Sequence, residues 1–458
     1  MTNIQLQSIS LKVLVDKEKN RVVFAESDKD FVDVLFSFLT MPIGTIIRLI
    51  RSQSFVFGTG CMNNLYESVD KLDVQHLCTP TCKTMLLSPR SSAETHSRSL
   101  KVNIDDTEPT QYYRCISGCV NSVYKNVRCY CGKMTEREYS IESSNPANGE
   151  KGVFVKEATR FMISDDLHVT LMSTMTSLSL LSKLGIKTRR SVEEKTVNIE
   201  ENVLQLLMSL LSSETPLTNS VFLERVIVDQ IQFDPRNTTQ PIDERDADSD
   251  DKKLRVKLLV SKSNNKVLYA EGREDFGDLI ISFLTFPLGS IVDLLGGNSP
   301  WQCVNALYKS VEHLNINNLI KSDECKNMLI HPKLAPYFGC DNQLLGIEEA
   351  IHPHATSRQN YFHVLNPKLL TIDTRRGGGF LKGPAMFMVT DDLVVTPLSS
   401  ISAINSFNVP LSDIEERVVT VGKKEALRLL KASLFSKSSA LTDAFSLKFR
   451  PKRPKQEV

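Results

Sequence analysis

Residues 11–50 align without a gap on residues 256–295, and nineteen of the forty positions are identical. The match continues with small gaps: Cys61, Leu65, Tyr66, Ser68 and Val69 fall on Cys303, Leu307, Tyr308, Ser310 and Val311. Cys82, Met85 and Pro89 fall on Cys325, Met328 and Pro332. FMISDDLHVT at 161–170 pairs with FMVTDDLVVT at 387–396, and VLQLLMSLLSS at 203–213 pairs with ALRLLKASLFS at 426–436. A solenoid repeats every 20–50 residues or so, and this unit is far longer. The chain therefore reads as a tandem duplication of one domain. The first repeat is expected over 8–232, with a cysteine-rich insertion at about 112–135, and the second over 253–449. Between them, six acidic residues crowd into Asp243 to Asp251. Such a composition cannot build a core, so 233–252 reads as an acidic linker. Residues 450–458 form a basic tail.

Each repeat reads as an α+β unit, a β-hairpin followed by helices. Leu11, Val13 and Val15 alternate with less apolar positions, and Val22, Val23 and Phe24 follow a polar turn at Lys17–Asn20. Phe31, Val34, Leu35, Phe38 and Leu39 have helical spacing, with Ser27 as the expected cap. Pro42 and Gly44 should end that helix, as Pro287 and Gly289 should end its counterpart. Short helices are expected over Ile46 to Arg51 and about Met62 to Leu72. Residues 88–110 and 141–150 read as loops. Phe161 to Thr170 reads as strand, Asp-Asp turn, strand, and helices are expected at about 200–213 and 423–436. The run from Phe31 to Ile50 is apolar enough to suggest a membrane span. Asp33, Arg48 and the Pro42–Gly44 break argue for two short helices and no membrane.

Charge narrows the partners. With 55 basic against 54 acidic residues the net charge is +1, so a whole-molecule grip on nucleic acid is unlikely. The C-terminal Lys448, Arg450, Lys452, Arg453 and Lys455 read first as a solvated tail. The start, MTNIQLQSISLKVLVD, shows no basic segment followed by an apolar one, so no secretory signal is evident. The expected location is intracellular, cytoplasmic or nuclear. In that setting the ten cysteines read as thiols or metal ligands and not as a disulfide framework.

Four of them form the one constellation with chemistry in its spacing. Cys115, Cys119, Cys129 and Cys131 run C-x3-C-x9-C-x-C, with Gly118 and Gly132 placed to turn the chain. Four thiolates suit tetrahedral zinc, so this is a candidate structural zinc site. The alternative is four unliganded cysteines in a small hairpin. Cys340 pairs with Cys115 in the alignment, but no cysteine follows it, so the second repeat cannot build this site. Cys61/Cys303 and Cys82/Cys325 sit near apolar helical positions and read as buried small hydrophobes. Cys78 adds a C-x3-C pair with Cys82 but no evident second pair of ligands. Asp165-Asp166 and Asp391-Asp392 read as turn residues, with acid/base or cation chemistry as the competing reading. Gly377–Gly379 precedes a strand and is not a phosphate loop. His352 and His354, with His363 nearby, lack further ligands. There is no P-loop, GxSxG elbow or HExxH.

The runs LKVLVDKEKNRVVFAE, DFVDVLFSFLTMPIGTI, TDDLVVTPLSSIS and ALRLLKASLFSKSSALTDAF resemble the plant family catalogued as domain of unknown function 674. The resemblance covers essentially the whole chain. It implies a plant origin, the duplicated unit and a CxxCG-type knuckle, here shortened to Cys129-Tyr130-Cys131-Gly132. It implies no mechanism. The expectation is a non-enzymatic, soluble interaction or regulatory protein with an unknown protein partner and zinc in the first repeat. A small-molecule binder or enzyme using the Asp-Asp turns is the first alternative. Nucleic-acid binding through the knuckles and the basic tail is the second.

Overall fold

The computed structural model describes residues 9–52, 60–139, 152–157, 160–199, 203–222, 252–341, 343–352, 364–369, 378–405 and 407–445. Residues 233–251 of the linker, the tail, 141–150, Gly377, His354 and His363 lie outside them. The first half of the chain contains β1 (Ser10–Asp16), β2 (Arg21–Ser27), α1 (Lys29–Ser37), α2 (Ile43–Arg51), α3 (Met62–Lys71), α4 (Pro80–Leu87) and α5 (Glu94–Ser97). It continues with β3 (Tyr112–Cys115), β4 (Asn121–Ser122), β5 (Thr135–Tyr139), β6 (Phe161–Ser164), β7 (Val169–Leu171), α6 (Thr174–Lys183), β8 (Val192–Asn198), α7 (Val203–Ser212) and α8 (Pro216–Val221). The second contains β9 (Leu254–Ser261), β10 (Val267–Arg273), α9 (Glu274–Ser282), α10 (Leu288–Leu294), α11 (Gln302–Ile316) and α12 (Asp323–Ile330). It ends with β11 (Met386–Thr390), β12 (Val395–Pro397), α13 (Ser400–Asn405), β13 (Ile414–Val421), α14 (Lys423–Phe435) and α15 (Ala440–Phe445).

Two five-stranded antiparallel sheets have the same order, β7-β6-β2-β1-β8 and β12-β11-β10-β9-β13. The opening hairpins match in detail. Asn20 and Asn265 turn the chain with φ of 48° and 53°, a left-handed conformation that asparagine tolerates well. The register then slips at one residue in each hairpin, Val23 and Leu268, as a β-bulge does. Val22, Val23 and Phe24 are all buried because the outer face of the sheet is covered too. There Val23, Phe24 and Met162 pack with Leu180 and Leu181 of α6.

Two expectations at the helices need correction. Asp28, not Ser27, caps α1, its side chain accepting from the Asp30 N–H. Gly44 and Gly289 do not end helices. They lie in the first turns of α2 and α10, which begin directly after Pro42 and Pro287. A Cβ on Gly44 would lie 2.9 Å from Leu284 O, and one on Gly289 2.6 Å from Leu329 O. The glycines are there for close packing.

That packing runs between the two halves of the chain. Ile43 N–H donates to Phe286 O and Leu288 N–H to Met41 O, each at 3.0 Å, around a Pro42–Pro287 bridge. The helical hairpins are exchanged. On one side Cys61 N–H donates to Ser433 O, Cys78 N–H to Phe380 O and Lys382 N–H to His76 O. On the other, Lys321 N–H donates to Phe154 O, Lys156 N–H to Leu319 O and Cys303 Sγ to Ser213 O. So α3 packs on β12 of the second sheet and α11 on β7 of the first. One apolar core includes Phe31, Phe36 and Phe38 together with Phe276, Phe283 and Phe286. This is why Phe31–Ile50 is apolar on nearly every side, as a helix buried all round must be. Among the described residues no helix is long and apolar enough to cross a membrane.

Candidate metal centre

The insertion folds as a three-stranded sheet, β4-β3-β5. Cys115 ends β3. Gly118, at φ 74°, lets its own N–H donate to Cys115 O, and Cys115 N–H donates to Val120 O. The second turn is equally tight. Arg128 bridges Met134, Cys129 N–H donates to Lys133 O, and Gly132, at φ 85°, donates to Cys129 O. Positive φ is costly for other residues, so both glycines are part of how the thiols converge. The lost residue in Cys129-Tyr130-Cys131-Gly132 does not prevent convergence.

The Sγ atoms of Cys115, Cys119, Cys129 and Cys131 lie within 4.8 Å of one another. Cys115 and Cys131 are 3.4 Å apart. Sulfurs around zinc at roughly 2.3 Å stand about 3.8 Å from each other in a tetrahedron, so the spacing fits a four-sulfur ion site. Cys115 and Cys129 are buried, and Cys131 is exposed. Backbone donation from Lys133, then the neighbouring thiols, pull Cys131 down to about 6. Burial first of all pushes Cys129 up to about 12. Four adjacent thiols cannot all ionise unaided. A cation would draw the remaining protons off. Cys131 N–H also points at Cys129 Sγ, at 3.5 Å, the kind of support that orients a metal ligand.

A family model described as a protein of unknown function, DUF674, matches residues 5–424. The chain belongs to the DUF674 family. No curated protein and no solved structure matches it. The matched span takes in both sheets and the cysteine centre, while most of α14 and all of α15 lie beyond it.

The remaining candidate residues of this DUF674 chain are placed as follows. Asp165 is buried and accepts from Arg21 Nε at 2.7 Å and from Thr218 N–H and Oγ1, both at 2.8 Å. Asp391 accepts from Thr442 N–H and Oγ1 at 2.7 and 2.9 Å. Each carboxylate thus ties the helix that follows α7 or α14 to the turn between two strands. Asp166 and Asp392 accept from Ser164 and Thr390 on their own turns. The two acids of each pair are directed apart. A cleft of about 470 Å³ lies elsewhere, lined by Asp293, Asn327, His331 and Lys333 among others, and neither Asp-Asp turn lines it.

The matched cysteines Cys61, Cys82, Cys303 and Cys325 are buried. Burial pushes Cys61 and Cys303 up to about 12, so they are protonated thiols at neutral pH and poor nucleophiles. Partly buried Cys78 instead directs Sγ to Leu381 O at 3.1 Å. Cys340 is not on a strand, so its pairing with Cys115 has no structural counterpart. It lies beside Asp278, Lys368 and Cys82. Buried His352 faces Tyr112 edge-on at 5.6 Å. Gly378 and Gly379 do precede β11. A Cβ on Gly379 would sit 1.7 Å from Asp278 Oδ2, so close approach explains that glycine.

Asp33 and Asp278 were missed as structural groups. Asp33 accepts from the N–H groups of Val153, Phe154 and Val155 at 2.8–3.0 Å. Asp278 accepts from those of Phe380 and Leu381 at 2.9 and 2.8 Å. Their signal was available: an aspartate kept in both repeats inside an otherwise apolar helix.

Proposed function

We propose that this protein is a non-enzymatic binding scaffold in which Cys115, Cys119, Cys129 and Cys131 hold one structural zinc. The convergence of four sulfurs on one point carries the metal reading. Zinc would supply charge neutralisation and cross-linking there, with no redox step, and would staple two turns that the apolar core does not reach. The two sheets of identical order, with the 19 matched positions, support a tandem duplication with repeats at 8–232 and 253–449. The ten free cysteines support a reducing, intracellular setting.

Support for the binding role comes from α6. Met175, Leu178 and Leu184 are exposed there, next to the basic run Lys183, Lys187, Arg189 and Arg190. A protein partner with an apolar, acidic surface suits that face. The Asp-Asp turns favour this reading over an enzymatic one, because their inner carboxylates are engaged in holding helices.

Metal analysis of protein purified without added zinc tests the centre. About one zinc per chain is expected from the four-thiolate set, and it should be lost in a Cys129→Ser/Cys131→Ser variant. A metal-free wild type prepared under reducing conditions without chelator would sink the reading.

A further inference from the structure

The inner face of the cysteine centre does not look toward solvent or its own repeat. Cys115, Val120 and Cys129 form a small apolar cluster of their own, and Cys119 and Leu365 pack against it. Leu365 belongs to the second repeat, far from the insertion in sequence. Its N–H donates to Asn121 O at 2.8 Å, within a parallel bridge between Asn121 and Val364. Tyr337 OH donates to Val364 O at 3.1 Å. The segment that carries Leu365 leads straight to Pro367, whose carbonyl accepts from Thr79 Oγ1 at 2.8 Å, and to Lys368.

Lys368 is only 2% exposed. Its ammonium donates to Gly339 O and lies 4.8 Å from the centre of the Phe380 ring. Phe380 N–H donates in turn to the buried Asp278. A lysine is rarely buried to this degree unless its surroundings hold it there. Residues 364–369 lie outside every helix and named strand, so side-chain and bridge contacts fix them.

We infer that the cysteine centre is an internal docking module whose partner is the 364–369 segment, and that metal loading clamps this segment and keeps Lys368 in its buried seat. The inference rests on the zinc reading and extends it. The knuckle's inner surface is taken up by Leu365, so the metal couples the two repeats and does not merely stiffen a loop. Lys368 is the group whose exposure reports the clamp.

The full-length protein is tested in its zinc-loaded form and after stripping by a chelator under reducing conditions, with zinc content measured in both. Hydrogen exchange is followed in peptides covering 364–369, with β9–β10 peptides as the internal reference. Acylation of Lys368 by an N-hydroxysuccinimide ester is mapped alongside. Stripping should speed exchange in 364–369 by about tenfold or more, as local opening does, and make Lys368 reactive, with β9–β10 unchanged. A Leu365→Asp variant should keep its zinc and show the same opening.

Unchanged exchange and unreactive Lys368 in protein that has lost its zinc would overturn the clamp while leaving the metal site standing. Protection of 364–369 in Leu365→Asp would overturn it too. Loss of β9–β10 protection on stripping would make the metal a requirement of the whole fold, which also overturns a local clamp. A wild type that holds no zinc removes the underlying reading and the clamp with it.

Discussion

The two halves of the chain share their anchors and differ in their attachments. Asp33 and Asp278 both gather backbone N–H groups that arrive from far along the chain. Asp165 and Asp391 both hold a threonine of a following helix. Only the first repeat has the cysteine centre, and only the second supplies Leu365 and Lys368 to meet it. Polar groups kept in both copies therefore serve the fold. Groups found in one copy are where a specialised role is to be sought. The comparison also separates two kinds of burial. The shared aspartates bind backbone donors that would otherwise be orphaned, whereas Lys368 is a buried donor held by the Gly339 carbonyl and the Phe380 ring.

The largest effect should come from separating the repeats. The apolar core is continuous across both halves, with α3 and α11 each packed on an edge strand of the other half's sheet, so either half alone would expose a broad apolar face. Residues 1–235 or 250–458 expressed singly should be aggregated or unfolded. Full-length protein cut at an engineered protease site in the linker should still elute as one species. Two stable, monomeric halves after cleavage would show that the shared core contributes little.

Next in size are the anchors. Asp33→Ala strands three N–H groups, two of them buried, and Asp278→Ala strands two buried ones. Each unsatisfied donor costs about 1–3 kcal/mol, so each variant should lose roughly 3–5 kcal/mol after partial relaxation. Urea unfolding measures this directly. A loss below about 1 kcal/mol at either site would end the claim that the two positions do the same work.

Much of this was legible in the residues. The polar turns before Val22 and Val267, the helical face from Phe31 to Leu39 and the break at Pro42 follow from local rules. The cysteine spacing pointed to convergence, and the four sulfurs converge. What the sequence hid is which partner each face meets. A buried stripe on α3 or α11 looks the same whether it covers its own sheet or the other, and two similar sheets make the exchange invisible. Asp33 was readable as a charge in an apolar run, but its donors come some 120 residues later, at Val153–Val155. The Cys115–Cys340 alignment has no counterpart in local structure: Cys115 ends a strand, whereas Cys340 is partly buried and lies on none.

The smallest expected effect is the most discriminating for the anchors. Burial pushes Asp33 up to about 6 and Asp278, with fewer backbone donors, up to about 7, against an ordinary value of 3.8. Lys368 opposes the rise at Asp278, and Glu274 adds to it. A carboxyl whose folded value lies above its unfolded one favours the folded state fully below the unfolded value. That advantage is lost as pH rises through the folded value. These two groups should therefore make the protein less stable as pH climbs from about 4 to 7. The loss from Asp33 should level off near 6 and that from Asp278 near 7. Asp33→Asn and Asp278→Asn should each remove their own part of that fall. Urea midpoints taken across that range for the wild type and both variants resolve the steps, because other titrating groups cancel in the differences. Parallel curves for wild type and Asp278→Asn would mean that this carboxyl is ionised throughout. The second repeat's anchor would then be stabilised by Lys368 as an ion pair, and the likeness between the two anchors would stop at geometry.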